Sequence, residues 1–358
     1  MGIIIALIIF GIIVTVHEFG HFICAKLSGI KVLEFSVGMG PKLFQKKKGE
    51  TAYSLRLLPV GGYCAMEEDI ESDDPRNFRK AKLWKRVIVL AAGAFNNFVL
   101  GLIMLVVLVC TMVSVPTNVV KGFSGVKNDD GSKVYYAESY RTGLRHEDKI
   151  IRMNGTHIYS YLDINFVLAS GGDTFDLVVI RDGKKVELPN VRFHDNYYKE
   201  VEGQDAGDVY DFGVVYNEKT PLNIIKGSGE LFMSMGHIVG LSLKQLVSGE
   251  AKKEDVSGPV GVVSAISETA KESRGFRDAV ASLSYLTALI SINLGIMNLL
   301  PIPGLDGGRL LFCLIEFIRR KPVKPEHEGY VHLAGMALLF ALMIFATYND
   351  IVRLITGG

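Results

Sequence analysis

The sequence is poor in the features that mark several protein classes. Its 358 residues include only four cysteines, which stand singly at positions 24, 64, 110 and 313 and form neither a disulfide framework nor a CxxC metal clip. The 39 basic and 38 acidic residues leave a net charge of +1, without a long run of one sign. This balance argues against a nucleic-acid-binding protein, so we expect no nucleic acid among its partners.

Charge is almost missing from four long stretches of the chain. Residues 1–25, 87–120, 279–305 and 329–349 together hold a single charged residue, Glu18. Apolar helices of such length can cross a hydrocarbon layer of ~30 Å at ~1.5 Å per residue. The sequence therefore predicts a membrane protein with a soluble part.

The apolar stretches predict four transmembrane helices. We expect the first over residues 1–27, the second over 87–115, the third at the start of 279–318, and the fourth over 329–349. The first is expected to be retained rather than cleaved as a signal peptide, because its first basic residue, Lys26, follows the apolar run. The short run 310–318 is too short to cross and predicts a half-helix at one membrane face.

The basic residues of the short flanking segments predict the orientation. Residues 26–86 hold 13 Lys or Arg and residues 307–328 hold five, which is typical of cytoplasmic segments. We therefore expect both termini and the long stretch 121–278 on the outer side of the membrane.

The polar segments divide into three predicted parts. Residues 28–86 form a cytoplasmic loop, and residues 121–216 form a small α+β domain. In that domain Asp182-Gly183 predicts a hairpin turn, Asn154-Gly155 the end of a strand, and residues 163–170 a short helix. Residues 217–278 are expected to lie on the membrane surface as amphipathic helices, with 222–247 as an alternative fifth span.

The strongest chemical signal is the HExxH motif His17-Glu18-Phe19-Gly20-His21 in the first span. On a helix, positions i and i+4 lie about 40° apart around the axis, so both imidazoles face one point. Two neutral imidazole nitrogens can hold Zn²⁺, and Glu18 can accept a proton from water activated by the metal. The alternative is that these three residues merely cap the cytoplasmic end of a span.

A catalytic zinc needs a third protein ligand, for which Asp306 is the candidate. It follows a helix-breaking segment that contains Pro301 and Pro303, after the third span and near the expected depth of His17. Irregular backbone at membrane depth is tolerated where it is buried in protein or lines a watery cavity. Glu316 is the competing ligand, and a helix N-cap is the alternative role of Asp306.

Three asparagines interrupt apolar helices. Asn96 and Asn97 lie in the second span and Asn293 in the third. Such residues often form hydrogen bonds between helices. They would equally suit binding to the backbone of an unfolded substrate segment.

These residues together resemble the bacterial site-2 proteases, the intramembrane zinc metalloproteases that include regulator-of-sigma-E proteases. The resemblance covers essentially the whole chain and rests on HEFGH at 17–21, VGGY at 60–63, SGPVG at 257–261 and NLLPIPGLDGG at 298–308. It implies zinc ligation by His17, His21 and Asp306, with Glu18 as the general base. It also implies that residues 137–155 belong to a single PDZ-like domain.

The resemblance implies the fold of a polytopic α-helical membrane protein, with four transmembrane helices and an inserted extracytoplasmic PDZ-like domain. The Gly-Gly-Tyr loop of the family is β-structured and dips toward the active site, which suggests strand pairing with an unwound substrate. The residues expected to contact substrate are Gly61, Gly62, Tyr63, Asn293, Asn298, Pro301 and Pro303.

Three places depart from the family pattern. Ala94 follows Gly93 where the family has proline, Cys64-Ala65 replaces the common Val-Lys, and residues 145–147 read Arg-His-Glu where Pro-Gly is usual. These departures concern substrate handling and the ligand choice of the PDZ-like domain, not the metal site.

We therefore expect an endopeptidase with one zinc ion in the bacterial cytoplasmic (inner) membrane, with its active site near the cytoplasmic side. Its substrates would be single-span membrane proteins, such as anti-sigma factors or signal-peptide remnants, and its PDZ-like domain would bind peptide C-termini. The first alternative is a non-catalytic membrane scaffold whose PDZ domain recruits partners. The second is a transporter, which predicts inverted repeats and acidic residues along several spans.

Overall fold

The computed structural model describes residues 2–68, 72–123, 126–127, 133–134, 137–172, 174–193, 212–249, 258–273 and 275–356. Ser257 of the SGPVG motif and residues 194–211 of the expected PDZ-like domain lie outside these ranges. The chain divides into two units, residues 1–111 with 242–358, and residues 112–241. Each unit is described by itself.

Nine α-helices occur in the described ranges. They are α1 Gly2–Leu27, α2 Leu83–Thr111, α3 Glu138–Arg141, α4 Tyr161–Ala169, α5 Pro221–Ser248, α6 Pro259–Glu272, α7 Phe276–Leu299, α8 Asp306–Arg319 and α9 Pro325–Thr356. Four of them, α1, α2, α7 and α9, are long and apolar enough to cross a membrane, which is the number expected from the sequence. The half-helix expected over 310–318 is contained in α8.

The second span differs from the expected range 87–115 at both ends. The helix begins at Leu83, one turn before the apolar run, and ends at Thr111. Val115 is instead the first residue of a strand. The reason is local, because Pro116 disfavours helical backbone at the residue before it and the neighbouring Val113 and Thr117 are β-branched.

Small residues let the backbones of the apolar helices approach closely. A Cβ on Gly20 of α1 would lie 2.3 Å from the carbonyl oxygen of Ala92 in α2. A Cβ on Gly101 of α2 would lie 2.6 Å from Cγ1 of Ile292 in α7. Such close contact holds these helices together through van der Waals packing.

The loop after α1 forms a long hairpin of β1 Val32–Lys48 and β2 Thr51–Met66. Phe35 of β1 is paired with Tyr53 on one side and with Cys64 on the other, so β1 lies between two stretches of β2. The stretch 62–66 is therefore an edge, since no other strand of the described residues pairs with it. Gly61, with a φ of 85°, provides the bend before this edge.

The second unit is built on a six-stranded sheet. Its strands are β3 Val115–Phe123, β6 Lys149–Met153, β7 Thr156–His157, β8 Thr174–Arg181, β9 Lys184–Arg192 and β10 Phe212–Asn217, and a separate pair is formed by β4 Val126–Lys127 and β5 Lys133–Val134. The order is β10-β3-β6-β8-β9, and β7 pairs with β6.

Two turns of this sheet occur at the Asn-Gly and Asp-Gly pairs that predicted them. Asn154 and Asp182 adopt φ values of 48° and 50° before Gly155 and Gly183, as the two expected turns require. Helix α4 covers the short helix expected over 163–170, and its Ile164 joins a core of buried apolar residues from the sheet. Glu147 has a φ of 65° where the resemblance expects a glycine.

Helix α5 is one continuous helix of 28 residues, where the sequence allowed one or two. It is not among the four helices of the described residues that are apolar enough to span a membrane. Its Ser234 donates a hydrogen bond to Asp163 Oδ2 at 2.7 Å, and His237 Nδ1 lies 3.1 Å from Asp163 Oδ1. One face of α5 is therefore bound to the N-terminus of α4.

Candidate metal centre

Helix α1 places both histidines of the HExxH motif on one side. His17 and His21 are each 6 % exposed, and their Nε2 atoms lie 3.2 Å apart. One helical turn separates the two residues, which is what brings their rings together in an apolar environment.

Asp306 reaches this pair from the first residue of α8. Its Oδ2 atom lies 3.0 Å from His17 Nε2 and 3.1 Å from His21 Nε2. The chain can turn sharply here because Gly307 and Gly308 have no side chains. A Cβ would lie 2.1 Å from Leu300 O at Gly307, and 2.6 Å from Ile302 O at Gly308. The helix break at the prolines therefore delivers the carboxylate to the histidines.

The three side chains fit a zinc ion. Two imidazole nitrogens and one carboxylate oxygen, with all ligand atoms within 4.8 Å of one another, make a donor set that zinc enzymes use. It is the only such group of three among the described residues. The Nε2 atoms of both histidines converge on one carboxylate oxygen in an apolar environment, an arrangement that a shared cation would explain.

Glu18 does not point at the same spot as the histidines. Its Oε2 atom accepts a hydrogen bond of 3.0 Å from the backbone N–H of Cys64, in the edge stretch of β2. A Cβ on Gly62 would lie 3.7 Å from Glu18 Cγ. The carboxylate is thus held between the metal centre and the open edge of the hairpin.

Helix α2 forms the wall behind the histidines. The carbonyl oxygen of Val89 accepts a 2.8 Å hydrogen bond from His21 Nδ1, and Asn97 Nδ2 lies 3.2 Å from His17 Nδ1. Between them is Gly93, where a Cβ would lie 2.5 Å from His21 Nε2. These three residues are spaced four apart, so they share one face of α2.

The roles of Val89 and Gly93 were not predicted. A backbone carbonyl has no sequence signature, but a glycine four residues before an asparagine in an apolar run was a usable signal. Asn96, by contrast, donates to Val16 O at 3.2 Å and so joins α2 to α1.

Glu316, the competing ligand, is not at the metal centre. Its Oε2 atom lies 2.9 Å from Arg86 Nη1 in an ion pair that joins α8 to α2. The competing role of Glu316 is therefore not supported, because Glu316 lies near the C-terminal end of α8 whereas Asp306 is its first residue.

The residues expected to contact substrate lie at several places. Gly62 and Tyr63 belong to the edge stretch of β2, and Gly61 precedes it. Asn298 is the half-buried penultimate residue of α7. Asn293 and Pro301 are exposed, whereas Pro303 is half-buried. The structure therefore does not gather all seven at the metal centre.

The hairpin beside the metal centre carries its own polar network. Glu34 and Arg56 form an ion pair of 2.9 Å, and Arg56 also bonds to the Tyr63 hydroxyl. Burial alone would raise the pKa of Glu34, but hydrogen bonds from Ser54 and Arg56 hold it below its usual range. Burial, reinforced by the negative charge of Glu18, raises the pKa of the Cys64 thiol to about 12.

A polar cavity of about 490 Å³ adjoins the other side of Asp306. Arg79, Arg309, Glu328 and His332 line it. Arg309 is held by Glu68 at 2.6 Å. Asp306 thus borders a charged recess as well as the two histidines.

This geometry defines a class of protein, a metal-dependent peptidase whose HExxH site lies among apolar helices. Comparison with known proteins gives the family. The model of peptidase family M50 matches residues 5–342, and the chain belongs to that family, the site-2 proteases. It is a zinc metalloendopeptidase.

Relatives match over nearly their full lengths. A protein of Clostridium perfringens, provisionally named a zinc metalloprotease, is 36% identical over 98% of this chain and 99% of its own. The regulator of sigma-W protease RasP of Bacillus subtilis is 30% identical, with 97% of each chain covered. The zinc metalloprotease RasP of Bacillus licheniformis is 31% identical over 97% of this chain and 98% of its own. Family membership removes the scaffold and transporter alternatives as descriptions of the whole protein.

Proposed function

We propose that this zinc metalloendopeptidase cleaves peptide bonds inside the transmembrane segments of single-span membrane proteins. The observation that carries the proposal is the position of the metal centre. His17 and His21 lie within a 26-residue apolar helix, more than halfway along it, and Asp306 joins them from a break between apolar helices. A site at that depth is reached more readily by a membrane segment than by a soluble protein.

Each residue of the site has a role in this proposal. His17, His21 and Asp306 hold the ion, which when bound supplies Lewis acidity and a nucleophilic oxygen at neutral pH. Glu18 accepts the proton of the attacking water and delivers it to the leaving amine nitrogen. Its hydrogen bond from Cys64 N–H keeps the carboxylate close to the place where the substrate backbone would lie.

The substrate segment must be unwound before it can be cut, because a helical peptide bond is enclosed by its own hydrogen bonds. The edge stretch 62–66 of β2 is suited to receive the unwound chain as an added strand. Since Cys64 N–H points away from β1 toward Glu18, the free edge faces the general base. We infer that Gly61, Gly62 and Tyr63 hold the substrate there, with Asn293, Asn298, Pro301 and Pro303 as further contacts.

The substrate class and the location are supported by the relatives and the helices. The name regulator of sigma-W protease of the Bacillus subtilis relative points to an anti-sigma factor as one substrate, within regulated intramembrane proteolysis. Four helices able to span support a multi-pass protein of the bacterial cytoplasmic membrane. The basic loops support a cytoplasmic active site, with the sheet unit outside as a PDZ-like domain that binds peptide C-termini.

The test uses purified full-length protein in detergent with a tagged single-span substrate. Wild-type protein should cut inside the apolar segment, as located by mass spectrometry. Glu18→Gln and a zinc chelator should each abolish the cut, and added zinc should restore the chelated enzyme. Cleavage only outside the apolar segment, or cleavage that survives Glu18→Gln, would refute the proposal.

A further inference from the structure

The Nδ1 atoms of His17 and His21 both contact α2, but the two contacts involve different chemical groups. His21 Nδ1 meets a carbonyl oxygen, that of Val89, at 2.8 Å. His17 Nδ1 meets the side chain of Asn97 at 3.2 Å. The residues pair in reverse order along the two helices, so each histidine has one partner on the same face of α2.

Asn97 is 0 % exposed, and half of its amide is unsatisfied. Its Oδ1 atom has no hydrogen-bond partner among the described residues, while its Nδ2 atom faces His17. A buried polar atom without a partner is destabilising.

Zinc binding through Nε2 would determine whether His17 Nδ1 carries a hydrogen. A neutral histidine that gives Nε2 to a metal carries its hydrogen on Nδ1. His17 Nδ1 is then a donor and needs an acceptor, whereas an amide NH₂ offers only another donor. In the present orientation of the Asn97 amide, Nδ2 and His17 Nδ1 would therefore both be donors facing each other.

A half turn of the Asn97 amide removes this donor–donor mismatch and leaves Nδ2 in the position without a partner. The amide oxygen and nitrogen occupy nearly equivalent positions and are assigned from the hydrogen-bond network. After the turn, Oδ1 accepts the hydrogen of His17 Nδ1, and the contact matches that of His21 with Val89 O. Ser291 of α7 donates to the backbone carbonyl of Asn97 at 2.8 Å and so fixes this residue in place.

We propose that Asn97 Oδ1 is the acceptor that fixes the tautomer and ring orientation of His17 for metal binding. Asn97 is thus a positioning residue and not a substrate contact, since it is enclosed by α1 and α7. This inference rests on the proposed role of His17 as a ligand.

The test measures zinc affinity directly, by competition with a chromophoric chelator on full-length protein in detergent. Asn97→Leu, which keeps the volume and removes the acceptor, should weaken zinc binding about 10- to 100-fold. Asn97→Asp, which keeps only acceptors, should bind zinc within about threefold of wild type or more tightly. Val99→Leu, at a 41 % exposed position of the same helix, is the control and should leave the affinity unchanged.

A second measurement does not depend on how well Asn97→Leu folds. In zinc-loaded protein labelled with ¹⁵N-histidine, the Nδ1–H resonance of His17 should move downfield in Asn97→Asp, since a carboxylate is the stronger acceptor. Wild-type affinity in Asn97→Leu, or an unmoved resonance in Asn97→Asp, would overturn the inference.

The same assay separates this inference from the proposed function. If His17→Ala binds zinc as tightly as wild type, the proposed ligand set is wrong. If His17→Ala loses zinc while Asn97→Asp loses it as severely as Asn97→Leu, the ligand set stands and the acceptor role of Asn97 fails.

Discussion

His17 Nε2 lies 3.0 Å from Asp306 Oδ2, although 289 positions separate the two residues. The contact joins α1 to α8 and completes a donor set for zinc. Because the site needs both ends of the chain, metal binding reports directly on correct packing of the apolar helices.

The first prediction separates metal binding from proton transfer. Asp306→Ala removes the only oxygen of the donor set and should reduce bound zinc to well below one ion per chain. Glu18→Gln should keep the zinc and lower the cleavage rate about 10²- to 10⁴-fold, as expected for loss of a general base. Elemental analysis and a cleavage assay on the same preparations check both. Zinc loss in Glu18→Gln would instead make Glu18 part of the metal site.

The second prediction concerns the space beside the histidines. In Gly93→Ala the added Cβ would lie 2.5 Å from His21 Nε2 and 2.6 Å from His17 Cε1, so the rings must move. We expect weaker zinc binding, measured by chelator competition. Gly240→Ala is the matched control, since that helical glycine has no atom within 4 Å of its added Cβ. Equal zinc affinity in both variants would show that the site is less tightly packed than described.

The third prediction follows from the Cys64 thiol, whose pKa is raised to about 12. The thiolate is the reactive form and is populated only as the pH rises toward this value. At pH 8 its fraction is roughly a thousandfold lower than for a thiol with a pKa of about 9. Alkylation of Cys64 should therefore be slow, as measured in zinc-depleted protein without the other three cysteines.

Two comparisons test the cause of this slow reaction. Denaturation in detergent should restore an ordinary rate. Glu18→Gln should speed the reaction only in part, since burial is the larger cause and remains. Rapid alkylation of the folded wild type at pH 8 would contradict the assignment.

The fourth prediction explains the glycines of the GPVG segment at the start of α6. Asp350 of α9, 2 % exposed, accepts hydrogen bonds from Gly258 N at 3.0 Å and from Gly261 N at 2.7 Å. A Cβ on either glycine would lie within 2.9 Å of the carboxylate. Asp350→Ala leaves both N–H groups unpaired and should destabilise the protein by about 2–4 kcal/mol.

Asp350→Asn should cost less than Asp350→Ala, because one acceptor oxygen remains. Ile351→Ala, at a neighbouring position that is 44 % exposed, serves as the control. Thermal unfolding in detergent measures all three. Asp350→Ala with the melting temperature of Ile351→Ala would show that the cap contributes little.

Local signals in the sequence predicted several of the individual elements. Runs of apolar residues gave the four long helices, and Asn-Gly and Asp-Gly gave the turns at 154 and 182. Such features depend on residues close in the chain. The end of the second span at Thr111 was missed, because apolarity continues into β3 while the backbone changes at Pro116.

The site was only partly visible in the sequence. The spacing of His17 and His21 determined by itself that one helix would present two ligands to one point, since four residues make about one helical turn. The helix break at Pro301 and Pro303 indicated Asp306 as the third ligand, but the sequence left Glu316 as a competing candidate. The packed structure places Asp306 beside the histidines and pairs Glu316 with Arg86.

Tertiary structure alone supplied the surroundings of the metal centre. Val89 and Cys64 act through backbone atoms, a carbonyl and an N–H group, and Gly93 acts by leaving space for the histidine rings. Neither of the two backbone roles has a sequence signature. Helix periodicity fixed which residues of α1 face together, because that geometry is local. Which atoms of α2, β2 and α8 meet them depends on how separate elements pack, and that was settled only when the chain folded.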